Sequence, residues 1–220
     1  NMTNENDYVY VGGDMLFNVR QTHTDLLTAG TLEIKGNFTQ LTSSSRCNGY
    51  NFNCTGSHKV ILSGTELQTI YFDDPYYSGF NILENKGSNK KDFPNTIRAY
   101  IIQGDSIDAV NFGLRIGDCE LKTNVNCEES LTISGANVNF ENTEINCKNF
   151  NLSGGSLNLN GGKLNINENL NQTGGTFKVG GGQAIIIGNY LAGTSTSYVN
   201  AFLNMTNEND YVYVGGDMLF

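Results

Sequence analysis

Short runs of alternating apolar and polar residues recur along this chain at a regular spacing. Between residues 124 and 191, each run opens with an apolar-x-apolar triplet, passes a polar corner and reaches another apolar residue. The same phrase is present at 9–15 (VYVGGDM) and at 32–38 (LEIKGNF). Equivalent places, at spacings of 19, 20 and 20 residues, are occupied by Leu131, Phe150, Leu170 and Tyr190. The pattern therefore indicates short strands that repeat about every 20 residues.

A period near 20 residues with strand-like alternation is typical of the rungs of a β-solenoid. Alternate side chains of each strand would then point into a narrow core. Glycine supplies positive φ at the corners, and asparagine tolerates the left-handed region and can form ladders between rungs. A β-sandwich would explain strands and turns, but not matched positions at one period. We predict an all-β, parallel β-solenoid (β-helix).

The regularity is not uniform along the chain. Residues 116–203 form regular rungs, whereas 41–115 are less regular and predict an inserted segment or bulge. Within that segment, VIL and TIYF are strand-like, and DDPYYSG (73–79) predicts a turn in which Pro75 sets φ. The polar stretch 88–94 (SNKKDFP) predicts an exposed loop.

The two ends of the chain have the same sequence. Residues 1–17 and 204–220 both read NMTNENDYVYVGGDMLF, an offset of 203 residues. We interpret 1–203 as one complete tandem repeat and 204–220 as the start of the next identical copy. The expected partners are further copies in the same chain, with lateral self-association into fibres as an additional expectation.

Composition and charge narrow the possible partners. Gly is frequent at 26 residues, Pro occurs twice, Trp is absent and charged residues make up 16%, which does not fit disorder. The net charge is −9, or −6 for one repeat with 19 acids and 13 bases once the duplicated end is left out. An acidic surface disfavours nucleic acid and anionic lipid. No apolar run reaches the roughly 20 residues of a membrane span.

Several phrases together resemble a known repeat. They are LTAGTLEIKGNFTQ (27–40), HKVILSG (58–64), QTIYF (68–72), SGFNILE (78–84), the opening MTNENDYVYVGGD (2–14) and the ladder-like stretch 154–176. This combination resembles a repeat of very large secreted or surface proteins of Gram-positive anaerobic bacteria. The resemblance implies an extended stack of parallel rungs outside the cell, without catalytic residues. The five cysteines of this chain depart from that family's typical repeat.

The cysteines are candidates for disulfides in an extracellular protein. Cys47 and Cys54 flank six residues, so a turn between two strands would bring them together. Cys127 and Cys147 are 20 residues apart and are expected at the same position of consecutive rungs, where Ile34, Ile166 and Ile187 stand elsewhere. Rungs about 4.8 Å apart would suit a disulfide. Buried free thiols are the alternative.

Cys119 is the fifth cysteine, and its sequence IGDC aligns with KGNF, which places it at the position of Phe38. It is expected to pair with Cys127 or Cys147, to stay free or to link to another chain. No C-x-x-C motif occurs, and His23 and His58 lie far from paired cysteines in sequence. We therefore expect no metal site and no cofactor.

Two kinds of functional residue remain to be considered. Some β-helices are carbohydrate-active enzymes, and the acidic candidates here are Asp105, Asp108 and Asp118, which have no obvious partner base. We expect the chain not to be an enzyme, but a structural repeat of an extracellular fibre, stalk or surface filament. The alternative is an adhesin-type binding module for carbohydrate or host protein. Its ligand-contact candidates are Asp73, Asp74, Tyr76 and Tyr77 in the less regular segment.

Overall fold

The chain folds as a parallel β-solenoid of about nine turns, as the alternation predicts. The computed structural model describes residues 1–42, 50–193 and 200–220. In these ranges one 3-10 turn, Tyr50–Phe52, accompanies the strands. In the described ranges no helix has the length and apolar character that crossing a bilayer requires.

The strands are numbered in chain order. The first eleven are β1 (Tyr8–Val11), β2 (Met15–Phe17), β3 (Thr31–Ile34), β4 (Phe38–Gln40), β5 (Lys59–Leu62), β6 (Gln68–Phe72), β7 (Phe80–Asn85), β8 (Lys91–Asp92), β9 (Ala99–Gly104), β10 (Ile107–Leu114) and β11 (Gly117–Leu121). The others are β12 (Val125–Phe140), β13 (Glu144–Asn158), β14 (Lys163–Ile166), β15 (Leu170–Gln172), β16 (Gly175–Lys178), β17 (Gln183–Ile186), β18 (Tyr190–Ala192), β19 (Ala201–Asn204), β20 (Tyr211–Val214) and β21 (Met218–Leu219).

Strands of successive turns stack in parallel columns, which we call faces. Face A contains β1, β3, β5, β7, β9 and β11, then the last residues of β12 and β13, and ends with β16 and β19. Face C contains β2, β4 and 70–72 of β6, and later the middle parts of β12 and β13, β15, β18 and β21. The amide of Phe93 donates to the carbonyl of Asn111 (3.4 Å) and links the two stretches of face C.

Face B begins inside the chain. Its first residue, Gln68, pairs with Lys91, which pairs with Ala109 of β10. The face continues through the first residues of β12 and β13 to β14, β17 and β20. In the earlier turns a tight corner leads from face A directly to face C, as at Gly12 and Gly13 between β1 and β2. Residues 63–69 therefore open a new side of the solenoid.

A narrow face D closes the early turns. It is formed by isolated bridges, Met2 with Leu27 and Asn53 with Gly79. Its last member, Ile97, bridges to Leu114 of face C, so face D ends by joining face C. The turns from 59 to 98 consequently have four sides, and the strands of the less regular segment stack on the rungs before and after them.

The identical end segments occupy different faces. β1 lies on face A, where it pairs with β3. β20, which has the same sequence, lies on face B, where it pairs with β17. β2 and β21 both lie on face C. One repeat thus replaces the face on which its own first strand started.

The core follows the predicted alternation. Leu131, Phe150, Leu170 and Tyr190 pair in register on face C and are at most 1% exposed. Each such burial stabilises the fold by roughly 1.5–3 kcal/mol. Polar ladders run outside this core, as predicted. On face B, the Asn126 amide donates to Asp108 (2.7 Å), and the Asn146 amide donates to Asn126 (2.9 Å).

Three details of the cysteine assignments differ from expectation. Cys127 and Cys147 pair in register, but the column continues through Ile166 to Ile186, and not to Ile187, which is 55% exposed. Cys119 pairs with Val138 on face A, whereas Phe38 pairs with Met15 and Ile70 on face C. The shared glycine corner of IGDC and KGNF aligned two different faces.

The predicted disulfides are not formed among the described residues. Cys54, Cys119, Cys127 and Cys147 are buried free thiols. Cys47 lies outside the described residues, and so does its predicted pairing with Cys54.

Candidate functional site

The candidate ligand-contact residues meet at one open cavity. Asp73, Asp74 and Tyr76 lie in the turn between β6 and β7 and line a cavity of about 350 Å³. Asn95 and Arg115 complete its wall from the next two turns of the solenoid. Tyr77, the fourth predicted residue, lies beside the cavity and packs on Tyr76 with ring centroids 4.7 Å apart.

The two carboxylates hold the turn in shape. Asp74 Oδ1 accepts the amide of Tyr76 (3.1 Å), a side chain-to-backbone bond typical of Asx turns. Asp73 Oδ2 accepts the amide of Thr42 (3.1 Å) and also its hydroxyl. Pro75 fixes φ between Asp74 and Tyr76, as the sequence predicts. Both aspartates thus have a structural role, and the Asp73 carboxylate is largely occupied by Thr42.

A buried polar network supports the turn from beneath. Asn51 is fully buried, and its Oδ1 accepts hydrogen bonds from Gln40 Nε2 (2.7 Å) and Ser78 Oγ (3.2 Å). Its Nδ2 donates to the carbonyl of Leu41 (2.6 Å). Because unpaired buried polar groups are costly, this network fixes the position of the turn.

Arg98 binds the turn from the following rung. It is only 8% exposed, and its guanidinium donates to the carbonyls of Tyr76 and Tyr77 (both 3.3 Å) and to Asn53 Oδ1. A buried guanidinium paired with carbonyl groups positions the backbone that carries both tyrosines. The sequence reasoning missed Arg98 and Arg115, because they come from later turns. Alignment at the rung period is the signal that would have found them.

The tyrosines form a small aromatic surface beside the cavity. Tyr77 packs between Tyr76 and Tyr50, whose ring centroid lies 4.6 Å from its own. The Tyr76 side chain is 48% exposed. The cavity therefore presents an exposed aromatic ring, two carboxylates and the exposed guanidinium of Arg115, a set that suits a polar ligand with an apolar face.

The acidic residues considered for catalysis lie at different places. Asp108 is on face B, at the start of the Asn126 ladder. Asp118 is on face A, where it accepts the amide of Asn137 (3.0 Å). Asp105 lies at the corner between β9 and β10 and accepts the amide of Gly87 (2.9 Å). Each of the three carboxylates begins a ladder or fixes a corner.

A second cavity of about 300 Å³ lies over the paired cysteines. Cys127, Cys147 and the ion pair of Lys90 with Glu128 are part of its wall. Desolvation is the main reason that the pKa of both thiols is raised, to about 12 for Cys147. Raised thiol pKa values disfavour the reactive thiolate. Among the described residues, no group of three His, Cys, Asp or Glu side chains could hold a metal ion.

Comparison with known proteins adds no relative. No protein-family model, curated protein or solved structure matches this chain. The class of protein is therefore defined by its architecture, a parallel β-solenoid, and the argument for function rests on the geometry described above.

Proposed function

We propose that this chain is a structural repeat that gives length and stiffness to an extracellular fibre, stalk or surface filament. One observation carries the proposal: the duplicated sequence stacks in register at both ends of the solenoid. β1 and β2 stack against β3 and β4, and β20 and β21 stack against β17 and β18. A chain of identical copies can therefore continue the same ladders without a break.

The ladders account for the stiffness. Backbone hydrogen bonds run along the axis on every face, and asparagine side chains add parallel ladders outside. At ~4.8 Å per turn, about nine turns advance by ~43 Å per copy. Stability would be approximately a sum over turns and their interfaces. The extracellular location is supported by the resemblance to repeats of giant surface proteins.

Small-angle scattering of arrays with one, two and three copies tests the role. Each copy should add ~40–50 Å to the maximum dimension while the cross-section stays constant. A rigid array of three copies should have a radius of gyration of about 38 Å, from a length of ~130 Å. A compact particle of that size would have about 25 Å. The smaller value, or filaments without a ~4.8 Å layer spacing in electron microscopy, would reject the role.

The second candidate is an adhesin-type module that binds carbohydrate. The cavity at Tyr76 favours it, because an exposed ring can stack on a sugar while Arg115 and the carboxylates contact hydroxyl groups. The buried Arg98 and Asn51 keep the cavity in one shape before a ligand arrives, which lowers the entropic cost of binding.

A glycan array with the intact chain tests this candidate. Bound glycans should be lost on Tyr76→Ala and on Arg115→Ala. Tyr10→Ala is the matched control, because Tyr10 is also an exposed tyrosine (54%) but lies on β1. An array without hits at high protein density, or equal loss with the control, would count against the binding module.

A further inference from the structure

The last seventeen residues show how one copy meets the next. β20 pairs with β17 from Gln183 with Tyr211 to Ile186 with Val214, and Tyr190 pairs with Met218 of β21. Val212 and Val214 pack against the core in this position. In the first copy, the residue that matches Val212 is Val9, which is 44% exposed. The same sequence is thus covered at one end of the chain and uncovered at the other.

Glycines in the corner after the first strand have no steric reason at the uncovered end. A Cβ on Gly13 would meet no atom within 4 Å, and a Cβ on Gly12 would come no closer than 3.3 Å, to the ring of Tyr10. In the second copy, a Cβ on Gly215 would lie 2.4 Å from the carbonyl oxygen of Ile187. A Cβ on Gly216 would lie 2.4 Å from Asn189 Oδ1. These glycines fit only a corner that carries a preceding turn.

Polar contacts give independent support. The amide of Asp217 donates to Asn189 Oδ1 (2.8 Å), and the amide of Gly181 donates to Asp210 Oδ1 (2.6 Å). The matching Asp14 already accepts the amide of Asn37 (2.7 Å) from the turn above it. One aspartate can therefore be bound from both sides, by the last turn of one copy and the second turn of its own.

We propose that the edge formed by residues 1–17 is a docking surface for the last turn of another copy of this chain, β17 and β18. The register is the one that residues 204–220 adopt. The proposal rests on the proposed function in taking a second copy as the occupant. It adds that residues 204–220 and the first seventeen residues of another molecule compete for the same edge. Chains whose own tail cannot dock will therefore join head to tail.

Register-specific cross-linking tests the proposal with full-length chains. Tyr213 pairs with Ile185, so Tyr10 of an incoming copy should lie opposite Ile185. The acceptor chain carries Ile185→Cys with Gly215→Ala and Gly216→Ala, which block its own tail. The donor chain carries Tyr10→Cys, and Cys47→Ser is present in both chains. Directly paired strand residues are ~4.8 Å apart, within reach of a disulfide.

The matched control moves the donor cysteine by two residues. Tyr8 corresponds to Tyr211, which pairs with Gln183, so Tyr8→Cys should cross-link to Gln183→Cys and not to Ile185→Cys. We expect at least tenfold more disulfide-linked dimer from each register-matched pair than from each mismatched pair. Gly12→Ala with Gly13→Ala in the donor should remove the product and leave its melting temperature unchanged, because both sites are open.

A second tail variant keeps the test independent of one substitution. Val212→Asp releases the tail by placing a charge in the core, and it should give the same cross-links. Circular dichroism and a cooperative melt verify that each acceptor is folded. Equal yields from matched and mismatched pairs, or monomers in both tail variants, would overturn the proposal. A compact three-copy array with register-specific cross-links would reject only the fibre role, and an extended array without them would reject only the docking edge.

Discussion

The amide of Asp217 donates a hydrogen bond to Oδ1 of Asn189 at 2.8 Å, one turn below it. The same contact joins Asn189 to Asn169 (2.9 Å) and Asn37 to Asp14 (2.7 Å). A side-chain oxygen at the corner before face C thus receives the backbone of the following turn. This corner ladder aligns neighbouring turns where no strand pairing is present.

Removing one step of this ladder should loosen the turn above it. Asn189→Ala leaves the Asp217 amide without its acceptor, at a cost of roughly 1 kcal/mol. We expect hydrogen exchange in β20 to become about fivefold faster, because local opening becomes more frequent. Asn6→Ala, in the first turn of the chain, is the control. Unchanged exchange in β20 would show that strand pairing alone holds this segment.

Asp108 should act as a hydrogen-bond acceptor, and its charge should matter little. Asp108→Asn keeps an oxygen for the Asn126 amide, so its stability should stay within about 0.5 kcal/mol of the parent chain. Asp108→Ala removes the acceptor and should cost about 1 kcal/mol. Urea denaturation measures both. Equal destabilisation by the two variants would assign the effect to the charge and contradict a ladder role.

His58 should make the fold sensitive to mild acid. It is fully buried, neither ring nitrogen has a hydrogen-bond partner among the described residues, and burial lowers its pKa to about 4. The unfolded chain binds a proton near pH 6.5, whereas the folded chain does so only near pH 4. Stability should therefore fall as the pH drops from 6.5 to 4, by about 3 kcal/mol.

The control for that loss is His58→Phe, which keeps an aromatic ring but cannot titrate. Urea midpoints at pH 7, 5.5 and 4 should separate the two chains progressively as the pH falls. Parallel curves for parent and variant would place the acid sensitivity in the carboxylates instead.

The native thiols should be protected from thiol reagents. Burial raises the pKa of Cys54, Cys119, Cys127 and Cys147, to about 12 for Cys119. At most one of the five cysteines, Cys47, should react with Ellman's reagent at pH 8 in the folded chain. All should react in guanidinium chloride. Rapid reaction of two or more thiols under native conditions would contradict the burial.

Two glycines with opposite surroundings should respond differently to alanine. Gly155 has φ +72°, and a Cβ there would lie 2.1 Å from the carbonyl oxygen of Ala136 in the turn below. Gly155→Ala should therefore cost several kcal/mol, through both strain and the close contact. Gly13→Ala, in open space, should change the melting temperature very little. A small effect at Gly155 would mean that the two turns can move apart.

The fold could be predicted from the sequence because every turn needs apolar residues at the same inward positions. The column from Leu131 to Tyr190 states this directly. The opening of face B could not be predicted, because residues 63–69 have the composition of an ordinary loop. Cys119 was placed wrongly because corners of different faces have similar sequences. The Tyr76 turn was found from its residue types, but Arg98 and Arg115 required knowledge of which turns stack on it.

The change of faces has a mechanical consequence for an array of such copies. β19 of face A leads into Asn204 and Met205, which match Asn1 and Met2 of face D. A ladder that begins at Gln68 would thus serve as face B in its own copy, as face A in the next and as face D in the third, where it ends. Only face C would run without interruption, like the core thread of a spun yarn wrapped in overlapping staple fibres. The other ladders would end at staggered levels, so a pulling load would pass from one to the next by overlap.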